Sequence, residues 1–255
     1  MIVDIIQARI GSTRLPGKVL ANISGKPTLC HVIERVKHSK SVDAVMVATT
    51  TKREDEIITK VVQDCGVVCS RGSEEDVLDR YYHAALAIKA DIIVRTTADC
   101  PFIDPQVIDK VVNHYINHRD SLDYVSNVLK PTYPDGLDVE VFSINVLEKA
   151  WQEAKKPAER EHVTPYIKNH PELFRLANVE NKEDLSQMRW TLDTEDDLQL
   201  IREVYARLYK KDEIFLMRDV LDLVEKNPWL TKINQGHRRD DKYWKQIATE
   251  ACKED

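Results

Sequence analysis

Ile2-Val3-Asp4-Ile5-Ile6-Gln7, followed by Ala8-Arg9-Ile10-Gly11-Ser12-Thr13-Arg14-Leu15-Pro16-Gly17-Lys18, decides the fold. The first six residues are mostly apolar and run straight into a polar loop, the pattern of a strand buried on both faces of a parallel sheet. Working outward, Leu29, Val32, Ile33 and Val36 recur at helical spacing, and residues 44–49 form a second buried strand. Thr51 and Glu54 read as a capping box opening a helix that carries Ile57, Ile58, Val61 and Val62. Residues 66–69 read as a third strand. Ser73 and Asp76 read as another capping box, before a helix to about Lys89. Residues 91–96 make a fourth strand, closing at Asp99, and Asp104 caps a helix with Pro105 in its first turn, where proline is favoured. Strands alternating with helices predict an α/β fold, a parallel sheet covered on both faces.

The second half is less regular. Residues 138–142 and 189–193 alternate polar and apolar, as half-exposed strands do, and Thr194 with Asp197 caps a helix to about Leu208. Residues 130–136, Lys-Pro-Thr-Tyr-Pro-Asp-Gly, carry the strongest loop signal. The expected organisation is one domain over 1–232 with a loop-rich excursion at about 120–185, followed by a polar tail, 233–255, in which Tyr243 and Trp244 are packing points.

A net charge of −6 over 255 residues argues against bulk nucleic-acid binding. No apolar run approaches 18 residues, so no membrane span is expected, and the acidic Asp4 interrupts any signal-peptide pattern; a cytoplasmic protein is the expectation. Cys30, Cys65, Cys69, Cys100 and Cys252 are odd in number and scattered, which is no disulfide framework. Cys65 and Cys69 read as buried thiols rather than half of a metal site.

Ligands of open α/β sheets bind beyond the carboxyl ends of the strands, which is where the loop from Gln7 to Lys18 lies. Two glycines, two hydroxyls and the cations Arg9, Arg14 and Lys18 suit a polyphosphate: arginine forks across phosphate oxygens and lysine acts as a point charge. A P-loop is excluded, because five residues rather than four separate Gly11 from Gly17-Lys18 and Val19 stands where Ser or Thr is required. Asp99, just past strand four, and Asp193, ending the 189–193 segment, would both reach the ligand edge if both strands are parallel members of one sheet. Two carboxylates beside a triphosphate form a hard-oxygen site suited to Mg²⁺.

Residues 7–20, with Ile23-Ser24-Gly25-Lys26-Pro27 and His31-Val32-Ile33-Glu34-Arg35, resemble the first motifs of the cytidylyltransferases that activate acidic sugars. These are the CMP-acylneuraminate and CMP-3-deoxy-manno-octulosonate synthetases, and the spore coat polysaccharide biosynthesis protein F group matches best. The resemblance covers most of the chain, to about Leu208, and implies a Rossmann-like nucleotide-diphospho-sugar transferase fold of GT-A type, with a mixed, mostly parallel sheet.

It also implies CTP as donor, a small acidic acceptor, a homodimer, and Asp99 and Asp193 as the metal pair. Asp193-Thr194-Glu195-Asp196-Asp197-Leu198 resembles the family's Asp-Thr-Pro-Glu-Asp-Leu segment, with Glu195 in place of proline. On this comparison Gln7, Ala8, Arg9, Gly11, Ser12, Arg14 and Lys18 hold the nucleotide phosphates, Arg71 helps hold the base, and Thr97 adds a polar contact. The acceptor is expected near Asp135, Asp138 and Glu140, with Glu161 and His162 in a second group motif. His162 has a pKa range suited to proton transfer, although a surface histidine is the commoner case, and no residue stands out as general base. Asp76, Asp79 and Arg80 fit a solvated helix face as well as a site. A glycosyltransferase on a similar fold and a non-catalytic nucleotide-binding module remain the alternatives.

Overall fold

The computed structural model describes residues 1–237 and Arg239; Tyr243, Trp244 and Cys252 lie outside the described residues. Along the chain come β1 (Ile2–Gln7), the short hairpin of β2 (Asn22–Ile23) and β3 (Lys26–Pro27), α1 (Thr28–Val36), β4 (Ala44–Thr50), α2 (Glu56–Asp64), β5 (Val68–Gly72), α3 (Val77–Ile88), β6 (Ile92–Thr97) and α4 (Pro105–His118). There follow β7 (Tyr124–Ser126), β8 (Glu140–Ser143), α5 (Ile144–Glu153), α6 (Pro157–His162), α7 (Pro165–Asn169), β9 (Leu176–Asn178), α8 (Glu195–Leu208) and α9 (Met217–Lys226).

The main sheet has seven strands in the order β5-β4-β1-β6-β8-β7-β9. β1 is parallel to both β4 and β6, β4 is parallel to β5, and β8 pairs antiparallel with β6 and β7. The chain therefore builds outward from β1 through β4 to β5, then crosses to β6 on the other side. That reversal opens a crevice at the carboxyl ends of β1 and β6, where Gln7 and Thr97 are register partners.

Strand alternation sorts β1 between two cores. Val3 and Ile5 pack with Leu78, Tyr81 and Leu147 on the side of α3 and α5, whereas Ile6 packs with Leu29, Val32, Ile108 and Ile201 on the side of α1, α4 and α8. Fully burying each such side chain contributes about 1.5–3 kcal/mol, which makes β1 the spine of the domain. α4 starts as its sequence requires, with Asp104 accepting from the Gln106 amide at 2.7 Å and proline in the first turn. α8 likewise carries the Thr194–Asp197 capping box.

Several local expectations are corrected. The Thr51–Glu54 capping box does not form: residues Arg53–Asp55 make a 3-10 turn, and Asp55 is buried to accept the Ile10 amide at 2.7 Å and the Thr50 hydroxyl. Asp76 rather than Ser73 caps α3, because the Ser73 hydroxyl is spent on the Asp76 amide. The third strand lies later, at Val68–Gly72. β8 is buried rather than half-exposed, because Val141 packs into one core and Phe142 into the other. Residues 189–193 are not a sheet strand. They run extended and buried, tied by a single bridge between Asp135 and Arg189 and by the Leu192 amide on the Asp99 carbonyl at 2.7 Å. Cys65 and Cys69 are half-buried thiols, and Cys65 meets Cys30 with sulfurs 2.9 Å apart.

Candidate functional site

The loop after β1 is pinned rather than floppy. The amides of Ser12 and Gly17 both donate to the Ile10 carbonyl, at 2.7 and 3.1 Å, while Leu15 and Val19 are buried beneath. Gly17 adopts φ 72°, a left-handed conformation that glycine takes at no steric cost, and so starts the 3-10 turn Lys18–Leu20. That turn aims Lys18 back at the sheet edge. Its ammonium lies 2.5 Å from Asp99 Oδ2 and 2.6 Å from Asp193 Oδ1. Arg14 reaches Asp193 Oδ2 at 2.7 Å, and the Thr97 hydroxyl donates to Asp99 Oδ1 at 2.6 Å.

Burial alone would raise the Asp99 carboxyl, but the adjacent Lys18 ammonium and the Thr97 hydroxyl override it and hold it below its ordinary value. Lys18 answers in kind: burial opposes its charge, and the two aspartates raise it nonetheless. Two carboxylates thus grip one cation at one point. Asp193 is itself held by Arg189, whose guanidinium donates to Asp193 at 3.1 Å, to Asp135 at 2.8 Å and to Asp197 at 3.1 Å. Asp197 in turn accepts from the Asp193 amide at 3.0 Å.

The far end of the crevice is rich in carboxylates, each engaged by a cation. Buried Glu140 accepts from Arg95, from the Tyr124 hydroxyl at 2.5 Å and from the Thr164 hydroxyl at 2.7 Å, with Lys168 3.7 Å away. Burial would raise its carboxyl, yet Arg95 and Lys168 hold it at about 2. Arg239 donates to Asp138, and Arg9 lies 4.0 Å from Glu161. Gly136 sits at φ 110° where an added Cβ would stand 2.7 Å from the backbone of Trp190 and Thr191, so only glycine lets the 134–138 turn lie against the 189–193 segment.

One cavity of about 580 Å³ collects these groups. At the end beside the loop after β1 it is lined by Gln7, Ala8, Arg9, Gly11, Ser12, Arg14, Lys18, Thr97, Asp99 and Asp193, and at its far end by Asp135, Asp138, Glu140, Glu161 and His162. Arg71 does not line it: its guanidinium donates to the carbonyls of Thr50 and Lys52, at 3.0 Å each. Arg80, which fits a solvated face in sequence, is 2% exposed and lines the cavity, because α3 packs it beneath Gly72. Arg95, Lys168 and Arg189 also line it and were not singled out from sequence. An arginine in the otherwise apolar run of β6 was the available signal for Arg95.

Among the described residues no group of three or more His, Cys, Asp or Glu is arranged to hold a metal ion. The Asp99–Asp193 pair offers two hard oxygens converging on one point, and that donor set fits a magnesium whose remaining ligands are phosphate oxygens and water.

Residues 3–222 match the model of a family described as cytidylyltransferase. The spore coat polysaccharide biosynthesis protein SpsF of Bacillus subtilis is 35% identical, over 89% of this chain and 95% of that protein. A cytidylyltransferase structure from Leptospira borgpetersenii superposes with TM-score 0.86 at 34% identity, over 90% of this chain and 96% of that one. The structure of a CMP:2-keto-3-deoxy-manno-octonic acid synthetase complexed with CTP superposes with TM-score 0.65 at 22% identity, over 82% and 99%, and shares the fold. The match over residues 3–222, on a sheet whose switch point carries the cation loop, settles the family: the chain belongs to the cytidylyltransferases and is a nucleotidyltransferase.

Proposed function

We propose that the protein transfers CMP from CTP to a small acidic acceptor, a sugar acid in the first instance, for surface polysaccharide or glycan synthesis. An acceptor oxygen forms a bond to the α-phosphorus of CTP, the bond from that phosphorus to the bridging oxygen breaks, and pyrophosphate leaves. The observation that carries the reading is the convergence of Arg9, Arg14 and Lys18 with Asp99 and Asp193 in one cavity at the ends of β1 and β6. The names of SpsF and of the CTP-bound synthetase support the donor and the sugar class.

Arg14 and Lys18 are paired with the aspartates in the structure. A triphosphate that drew them away would leave two partly buried carboxylates unpaired, which is costly. Asp99 and Asp193, so released, are the residues that would hold a Mg²⁺, and a metal held there would supply polarisation of the α-phosphoryl group and charge stabilisation for the leaving pyrophosphate. The three cations then neutralise the β- and γ-phosphates, and the carboxylate-lined end around Asp135, Asp138, Glu140, Glu161 and His162 receives the acceptor. There Arg95 and Lys168 are the lining cations that an acidic group would meet, each still holding Glu140. The protein supplies positioning and fixed charge. The test is pyrophosphate release with Mg²⁺, each of four nucleoside triphosphates and a panel of acidic sugars. Release with CTP and one acid class is expected, whereas release without any acceptor, or with no preference for CTP, would overturn the assignment.

A further inference from the structure

Beyond α9, and beyond the family-matched residues, a 3-10 turn at Leu230–Lys232 leads to Asn234. Asn234 is 3% exposed although Thr231, Lys232, Gln235 and Gly236 around it are exposed. Burying an amide costs free energy unless its hydrogen bonds are recovered. Both N–H bonds of this amide are used: they go to the Arg189 carbonyl at 2.9 Å and to Asp197 Oδ1 at 2.8 Å.

Those two partners hold Asp193. Asp197 Oδ2 accepts the backbone amides of Asp193 and Thr194, at 3.0 Å each, and Arg189 donates to the Asp193 carboxylate at 3.1 Å. Asp197 Oδ2 is thus directed at the Asp193 and Thr194 amides, and Asn234 completes the set by donating to Oδ1 beside the Arg189 Nε–H. The same segment makes two further contacts. His237 Nε2 lies 3.1 Å from Asp196 Oδ2, and Arg239 donates to Asp138 and, at 3.3 Å, to the Tyr133 carbonyl on the acceptor side.

We infer that Asn234 is a positioning residue of the nucleotide site, setting Asp193 through Asp197 and Arg189. This rests on the reading of Asp193 as part of the CTP site. A residue that merely anchors the chain end would lower stability without touching ligand affinity. A positioning residue is coupled to the ligand, and coupling is reciprocal, so CTP must also tighten the segment that carries Asn234.

The first test is amide hydrogen exchange on the full wild-type chain, with and without CTP and Mg²⁺. Slowed exchange in both 7–18 and 230–237 is the expected result. Slowing in 7–18 alone overturns the inference, and slowing in neither removes the CTP reading with it. The second test is Asn234→Ala, read as CTP affinity of the folded protein. With Mg²⁺ the affinity should fall about ten-fold, the usual scale for leaving a buried polar partner unsatisfied. Without metal it should change by less than about two-fold. A lowered melting temperature with unchanged CTP affinity would show an anchor only. If Asn234→Ala does not fold, the exchange experiment on the wild type decides.

Discussion

The parallel half of the sheet, β5-β4-β1-β6, and the antiparallel half, β8-β7-β9, each bury a carboxyl, and they treat it in opposite ways. Asp4, on β1, accepts the Thr96 hydroxyl on Oδ1 at 2.7 Å, and among the described residues Oδ2 has no partner; burial pushes its carboxyl up to about 7. Glu140, on β8, is surrounded by Arg95, Lys168 and two hydroxyls and is held at about 2. The parallel half places Arg14, Lys18 and Asp99 on the loops at its strand ends, while Asp4 and Arg95 sit within its strands. The antiparallel half threads charge through its interior and ties each carboxylate to a distant cation. Rigid fixed charge suits selection of an acceptor, and exchangeable pairs at the strand ends suit a triphosphate that must enter and leave.

The largest effect should come from breaking the exchangeable end. Asp99→Asn or Asp193→Asn is expected to lower turnover by at least about a thousand-fold while leaving folding intact, measured as pyrophosphate release beside a melting curve. On the fixed side, Glu140→Ala strands the largely covered Arg95 guanidinium, and chemical denaturation should show a loss of about 3 kcal/mol.

The pH dependence of stability sharpens the contrast between the two carboxyls. Glu140 has a folded pKa below its unfolded value, so its contribution is full above about pH 4.5 and is lost as pH falls towards 2. Asp4 has a folded pKa above its unfolded value, so its contribution is present below about pH 4 and is lost as pH rises to about 7. Asp4→Asn should therefore remove a decline of roughly 2–4 kcal/mol between pH 4 and 7, and an unchanged pH profile would contradict the burial of a charged group there. Gly136→Ala, pressed at positive φ against the 189–193 backbone, should cost about 1–3 kcal/mol in a denaturation experiment. The smallest effect is expected for Arg71→Ala, whose guanidinium serves two carbonyls outside the cavity: the KM for CTP should change less than about two-fold.

Much of the parallel half was legible in the sequence because its information is local. The apolar run of β1, the helical rows and the proline-started α4 each lie within one window, and the loop from Gln7 to Lys18 declared its cations and its departure from a P-loop by counting. The antiparallel half was not legible in the same way. Residues 189–193 alternate like a strand, with Trp190 and Leu192 packed in one core, but their hydrogen bonds go to Asp99 and Asp135 rather than to a ladder. Arg189 and Asn234 could not be chosen from sequence because their meaning depends on partners 54 and 37 positions away. Arg71 shows the reverse: a position chosen by resemblance keeps its residue while its side chain donates to the carbonyls of Thr50 and Lys52.

The most direct measurement is equilibrium binding of CTP to the wild-type chain and to Asp99→Asn/Asp193→Asn, each with and without Mg²⁺. Saturable binding that is strengthened by Mg²⁺ in the wild type, with no such strengthening in the double variant, is the predicted result. Equal CTP affinity with and without Mg²⁺ in the wild type, or undiminished Mg²⁺-dependent binding in the double variant, would contradict the account.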